Sequence, residues 1–358
     1  MKKIFLLLFL LSQSLVFSQT LDFSIKETIK AAHATATKFA EKESVPGMAI
    51  SVSKNGELFW SEGFGYRNLS DSLEVNPSVT QFRIASISKS LTAAALAKLM
   101  DDGLLDLDES LYSYVPDFPK KKYDFTVRQV GGHIAGIRHY NGSEFILNKK
   151  MSIIEGLDIF KESPLKFEPG TDYSYSTYGW NLLSVVVENA AKTEFNTYMT
   201  QNIFNPLNMP NTTLDLSDQD MPNRTLFYNK TNAGEIRLGP EVSNEFKVAG
   251  GGFVSTSEDL IKFGNEIISP KIISQTSIAE LLKEQHLTNG KGTGYGVGFG
   301  IGRTKKGTIV YSHSGGGIGA TTLLLMYPED GIVIAIVTNM SGLPIRDFGE
   351  QLETIFVN

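Results

Sequence analysis

Cysteine is absent from all 358 residues, which excludes any disulfide or lipid-modified cysteine and leaves the redox compartment unmarked. Histidine is scarce: His33, His133, His139, His286 and His313 are scattered, with no spacing that makes a zinc ligand set. Positive charge is in the minority, 33 Lys and Arg against 39 Asp and Glu, for a formal net charge of −6. There is no basic cluster and no interleaving of basic with aromatic residues, which argues against nucleic-acid binding. Internal repeats and low-complexity linkers are lacking too. Only one long apolar run exists, Ile4 to Phe17 after Met1-Lys2-Lys3, and it is short for a membrane span. It reads as a secretory signal peptide over 1–18, with Val16-Phe17-Ser18 as the cleavage site. Cleavage would remove two Lys and no acid, leaving 31 basic and 39 acidic residues and a charge of about −8. The expectation is an exported chain, periplasmic or secreted, with no membrane span after processing.

What remains is ordinary globular composition, 41% hydrophobic and 20% charged, long enough for one large domain or two lobes. Residues 22–44 read as an amphipathic helix, with Ile25, Ile29, Ala32 and Ala36 on one side. Pro46-Gly47 then leads into a hairpin, Met48–Ser53 and Leu58–Trp60, turning at Asn55-Gly56. Residues 61–81 read as loop and irregular strand. From about 104 to 240 helix and loop dominate, with helices expected at Leu157–Glu162, Gly179–Ala191 and Phe195–Phe204, while 208–245 resist assignment. A further helix is expected from Ser255 through Ile267. Four strands follow, Tyr295–Ile301, Thr308–His313, Thr321–Tyr327 and Ile332–Thr338, and a last helix over 343–356. Strands at both ends around a helical insertion predict an α+β fold in a single domain over 19–358. One antiparallel sheet would come from about 19–80 and 245–358, flanked by helices, with a mostly helical lobe over about 81–244. The cleft between the lobes is the expected site.

The stretch around which the rest is organised is Phe82-Arg83-Ile84-Ala85-Ser86-Ile87-Ser88-Lys89-Ser90-Leu91-Thr92. From Ile87 to Met100 it is Ala- and Leu-rich, lacks Gly and Pro, and predicts one helix buried on nearly all sides and ended by Gly103. Ser86 opens that helix and Lys89 follows on the same face one turn later. A buried lysine with a lowered pKa can take the proton of a hydroxyl nucleophile. Ser-x-x-Lys also occurs at Ser51–Lys54 and Ser163–Lys166. The first lies in a predicted strand, where i and i+3 face opposite ways, and Ser163 precedes a proline. The plainer reading of Ser86 is a helix cap.

Two other stretches accompany it: Pro169-Gly170-Thr171-Asp172-Tyr173-Ser174-Tyr175-Ser176-Thr177, and Tyr311-Ser312-His313-Ser314-Gly315-Gly316-Gly317. Alone, each is a helix-entry loop or a glycine-rich connection. Together, in this order and spacing, the three resemble the serine β-lactamase and penicillin-binding-protein-like family, in its class C-like esterase and peptidase branch. Ser86-x-x-Lys89 matches the first motif. Tyr175-Ser176-Thr177 matches Tyr-x-Asn with Thr177 where Asn is usual, and His313-Ser314-Gly315 matches the Lys-Thr-Gly element in a His form. Ala249-Gly250-Gly251-Gly252, the Asp259 helix and His133-Ile134-Ala135-Gly136 also look familial. Phe82–Thr92, Gly136-Ile137-Arg138-His139-Tyr140 and Tyr175-Ser176-Thr177 carry a closer likeness to a mitochondrial branch of that family. The resemblance covers most of residues 25–345.

It implies a β-lactamase/transpeptidase-like fold and an acyl-enzyme on Ser86, with Lys89 and Tyr175 sharing removal of its proton. The backbone N–H groups of Ser86 and Gly316 would form the oxyanion hole, His313 would add polarity or positive charge, and Thr177, Ser314 and Gly315 would contact substrate. No cofactor or metal is implied; the partner is a small-molecule or peptide substrate carrying an ester or amide. The other readings are a true β-lactamase or D-alanyl-D-alanine carboxypeptidase, or an inactive relative that binds peptides or cell-wall fragments. Since His313 replaces a lysine, uncharged esters and internal amides are expected to outperform β-lactams, unless Arg138 or Arg303 reaches the cleft.

Overall fold

The computed structural model describes residues 24–217 and 219–357; the expected signal peptide lies outside them. A seven-stranded antiparallel sheet joins the two ends of the chain. Its order is Leu73–Glu74, Glu57–Asn68, Gly47–Lys54, Ile332–Thr338, Ala320–Tyr327, Ile309–Gly317 and Gly300–Arg303. The early and late strands meet at its centre, in register from Met48 opposite Thr338 to Lys54 opposite Ile332.

Period two sorts the central strands. Met48, Ile50 and Val52 join Ile334 and Ile336 under the helices over 24–43 and Ile345–Phe356, where Phe39 stacks on Phe348 with centroids 4.1 Å apart. Each such aliphatic side chain contributes roughly 1.5–3 kcal/mol by leaving water. The other face carries small residues, Ala49, Ser51 and Ser53, and admits the helix Ser257–Ile268 closely. Ser51 Oγ donates to Ser257 Oγ (2.8 Å) and Ser53 Oγ to Asn265 Oδ1 (2.8 Å). Ser51 is thus a buried structural hydroxyl, and Lys54, on the opposite face, is exposed.

Beyond the sheet, the Ala-rich run forms the helix Ile87–Asp101, buried from Ile87 to Leu99 except at Lys98. It closes at Gly103, which adopts φ +68 and donates to Met100 O, as the next N–H does to Leu99 O. Thr177–Ala191 and Ser257–Ile268 are helical within about two residues of expectation.

Four expectations change. Tyr295–Ile301 is strand only from Gly300 to Arg303, because Gly294 and Gly298 take positive φ and break the extension. The run Gly315–Gly317 is not a loop but the end of the strand, paired with Ala320–Thr322. Glu57–Asn68 continues well past Trp60, and its partner strand Gly47–Lys54 holds it in register as far as Gly65. The helix expected at Leu157–Glu162 instead occupies Ile153–Leu157, set by the reciprocal capping of Ser152 and Glu155. The unassigned region includes a two-stranded ribbon, Tyr228–Lys230 with Ile236–Leu238.

Candidate active site

Ser86 sits between the sheet and the helical lobe, at the first turn of Ile87–Asp101, and its side chain makes no capping hydrogen bond. The plainer reading of this hydroxyl is thereby removed. Ala85, just before it, is held at φ +45, a strained position for a residue with a Cβ. The strand Ile309–Gly317 supports this strain. A Cβ on Gly315 would fall 2.3 Å from Ile84 O and 2.2 Å from Thr322 Oγ1, so only glycine lets the strand lie against residues 84–85. Thr322 Oγ1 then donates to Ile84 O at 3.0 Å. Gly315 therefore acts through backbone approach; the expected substrate contact is not what its surroundings show. Gly316, next along, is exposed, with open space where a side chain would be.

Lys89 has no exposed surface. Its Nζ lies 3.1 Å from Ser86 Oγ, 3.2 Å from Thr177 Oγ1 and 2.5 Å from Gly250 O, with no carboxylate partner among the described residues. Burial pushes its pKa well below the usual lysine value. A neutral amine has two N–H donors and one lone pair, which fits two acceptors and the Ser86 O–H. The Gly250 carbonyl reaches this place because a Cβ there would sit 2.6 Å from Thr177 Cγ2. Thr177 is almost fully buried and holds the lysine; its hydroxyl is occupied there, whereas the resemblance implies a contact with substrate.

Tyr175 immediately precedes the helix Thr177–Ala191. Ser176 caps that helix, accepting from Gly179 N–H (3.0 Å) and donating to Arg138 O (2.7 Å). The N–H groups of Ser176 and Thr177 are taken by His133 Nδ1 and His139 Nδ1, each at 3.1 Å. Both imidazoles act as acceptors and are neutral there: burial carries His133 well down and His139 down to about 4, with Lys89 adding to each. Two histidines thus fix the tyrosine's backbone. The Tyr175 ring lies 4.9 Å from Lys89 Nζ. Burial raises its phenol above the ordinary value, a hydrogen bond with Ser86 opposing the shift. This differs from a phenolate kept acidic by Lys89: burial of the phenol outweighs what its neighbours do to favour the anion.

His313 is buried and uncharged. Its Nε2 accepts from Tyr295 Oη (2.8 Å), and its Nδ1–H donates to Ser314 O (2.8 Å). Burial first, then Lys89, brings it down to about 3. Of the polarity or positive charge expected of it, polarity is what it supplies. Arg346, at the start of the last helix, supplies a cation instead: its Nη2 donates to Ser314 Oγ at 2.9 Å. Arg138 is committed to Glu144, Ser163 and Ile159 O, and Arg303 to Gly307 O. Ser163 and Lys166, the third Ser-x-x-Lys, bond separately to Arg138 and Ser174.

Ser86, Tyr175, Thr177, Gly316 and Lys247 line one cavity of about 190 Å³. The sequence reading missed Lys247, His139 as a structural acceptor, Tyr295 and Arg346. Lys247 stands three residues before the glycine run that starts at Gly250 and His139 inside a quoted motif, so both were near signals; Tyr295 and Arg346 were not.

The chain matches the family model for Beta-lactamase over residues 32–353. It is 29% identical to the human (Homo sapiens) serine beta-lactamase-like protein LACTB, mitochondrial, over 86% of this chain and 76% of that protein. Its fold is similar to the octameric penicillin-binding protein homologue from Pyrococcus abyssi, with TM-score 0.78 and 24% identity, over 91% of this chain and 76% of that one. It is also similar to D-amino acid amidase from Ochrobactrum anthropi SV3, with TM-score 0.79 and 21% identity, over 93% of this chain and 99% of that one. The matched span includes the sheet, the Ser86 helix and the tyrosine and histidine segments alike, and the chain belongs to the Beta-lactamase family.

Proposed function

We propose that the chain is an exported serine hydrolase that cleaves ester or amide bonds of small or peptide-like substrates through an acyl-enzyme on Ser86. The observation that carries this reading is a fully buried lysine, without an acid partner among the described residues, 3.1 Å from a hydroxyl that caps nothing. Neutral Lys89 accepts the Ser86 proton as Oγ bonds to the carbonyl carbon. The carbonyl electron pair moves to oxygen, facing the N–H groups of Ser86 and Gly316, where each donor is worth roughly 2.7–4 kcal/mol. Collapse breaks the bond to the leaving group, which takes a proton from the Tyr175 phenol or the Lys89 ammonium. Water then adds to the acyl carbon as it gives up a proton to the same pair; the bond to Ser86 Oγ breaks, Oγ takes back a proton from the pair, and the acid leaves. Tyr175 serves in this scheme as a proton donor before it is a base, since burial favours its phenol form.

A fluorophosphonate should label Ser86 alone, read by mass spectrometry of the digested protein. An adduct on Ser51 or Ser163, or none with a folded chain, would favour the non-catalytic peptide-binding reading.

A second reading, β-lactamase or D-alanyl-D-alanine carboxypeptidase, gains from one feature. Arg346 on Ser314 gives the cleft a guanidinium where a free carboxylate could bind, which weakens the case for uncharged substrates. Comparing kcat/KM for a chromogenic cephalosporin and a neutral ester separates the two. A cephalosporin advantage of about tenfold or more, lost in Arg346→Met, would make the second reading the leading one.

A further inference from the structure

The cavity that opens at Ser86 is also lined by charged and polar groups. Arg83, Asn244 and Lys247 are among them, together with Phe145. Arg83 is neutralised by Asp215 at 2.6 Å, which also takes Arg224 (2.7 Å) and Asn244 (2.8 Å). Glu245, the other acid nearby, accepts from Ser217 and Ser243. Three cations therefore face two acids, and Lys247 is left over. It is 5% exposed, its Nζ donates to Phe145 O at 3.1 Å, and no carboxylate pairs with it among the described residues. The Tyr140 ring is 5.5 Å from its Nζ. A buried ammonium with one carbonyl partner has donors to spare and a desolvation cost that an anion would offset.

We propose that the part of the cavity around Lys247 is an anion subsite, in which Lys247 binds a carboxylate carried by the substrate whose reacting carbonyl lies at Ser86. The proposal rests on the serine-hydrolase reading and adds a substrate class to it. The subsite is separate from Arg346, which lines a different cavity beyond Tyr175 with Ser314 and His313. Burial, with Arg83 next, lowers Lys247 to about 8, so it is mostly cationic at neutral pH and a bound carboxylate would raise it again. The other titratable groups around the cavity are Lys89, His139, Tyr140, Tyr175, Arg83, Asp215 and Glu245. His139 titrates at about 4 and Lys247 at about 8.

Two substrate pairs test it. Mono-4-nitrophenyl succinate against 4-nitrophenyl butyrate places the carboxylate on the acyl side; 4-carboxyphenyl butyrate against phenyl butyrate places it on the leaving group. In one pair the anionic member should be favoured in kcat/KM by about fivefold or more at neutral pH, and the preference should fade above pH about 8. In Lys247→Met that ratio should fall by about fivefold, while Arg346→Met should leave it in place. No preference in either pair, or one that survives Lys247→Met, overturns the subsite. Glutarate binding to Ser86→Ala, followed by titration calorimetry, reads the subsite without turnover. Weakening by about fivefold in the added Lys247→Met background supports it, and no binding overturns it. Should no ester be cleaved at all, the hydrolase reading falls, and the glutarate measurement alone decides on the subsite.

Discussion

Lys89 and Lys247 are buried beside the same cavity and are held in opposite ways. Lys89 is surrounded by two hydroxyls and a carbonyl, with no acid near among the described residues, so burial drives it towards the neutral amine. Lys247 has one carbonyl and the attraction of Asp215 and Glu245, which partly offset its burial and leave it titrating near 8. Depth alone does not tell a base from an anchor; the acids within reach do. One lysine is set up to gain a proton from Ser86, the other to keep the one it has.

The largest effects should fall on the first. Ser86→Ala and Lys89→Met should each lower kcat/KM by about a thousandfold or more, and the double variant should be little worse than either. Lys247→Met should cost less than about tenfold on a neutral ester. Independent, multiplying losses at Ser86 and Lys89 would break the view that they work as one unit.

Tyr175→Phe comes next, with an expected loss of about a hundredfold and little change in KM. The acidic limb of kcat/KM should persist in this variant, because protonation of Lys89 removes the base as pH falls. If the acidic limb vanishes with the phenol, Tyr175 and not Lys89 is the group that titrates.

Neutral histidines around the pair set a third test. His313 is at about 3 and His139 at about 4, against an unperturbed 6.5. Below that value the unfolded chain binds protons that the folded chain refuses, so stability falls as pH drops from about 6.5 through 4 and towards 3. Urea midpoints at pH about 6.5 and 4.5 should differ by roughly 2 kcal/mol more in the parent than in His313→Gln. Equal slopes would mean that His313 is charged in the fold.

Much of this was legible in the sequence, and for identifiable reasons. The Ser86 helix is local: Ala and Leu without Gly or Pro fix its extent, and i, i+3 spacing places Lys89. The hairpin at Asn55-Gly56 and the strands from Thr321 to Thr338 follow from turn chemistry and continuous apolar runs. What was not legible depends on distant partners. The glycine run 315–317 reads as loop until Ala320–Thr322 pairs with it and residues 84–85 demand the missing side chain. Arg346 is 32 residues from Ser314, and nothing in a helix start after Pro344 says where it reaches. The charge of His313 turns on burial and on Lys89, neither of which its own motif contains.

The smallest expected effect concerns Lys247 and stability. In the folded chain it titrates at about 8; in the unfolded chain it returns to about 10.4. Between these values the unfolded state holds a proton that the folded state has released, so stability rises with pH across the window. Below about 8 both states are protonated, the slope vanishes, and the full cost of the buried charge remains, roughly 3 kcal/mol. Replacing the side chain with methionine removes that cost but leaves Phe145 O without its donor, a loss of about 1–3 kcal/mol. The net gain at neutral pH should therefore be about 1 kcal/mol. Urea midpoints at pH about 7 and 10 should show the parent gaining on the variant as pH rises. Lys89→Met should abolish turnover instead, and it leaves Gly250 O and Thr177 Oγ1 without their donor. If parent and Lys247→Met instead keep the same pH slope, the lysine is not desolvated as described, and the contrast between the two lysines loses its second half.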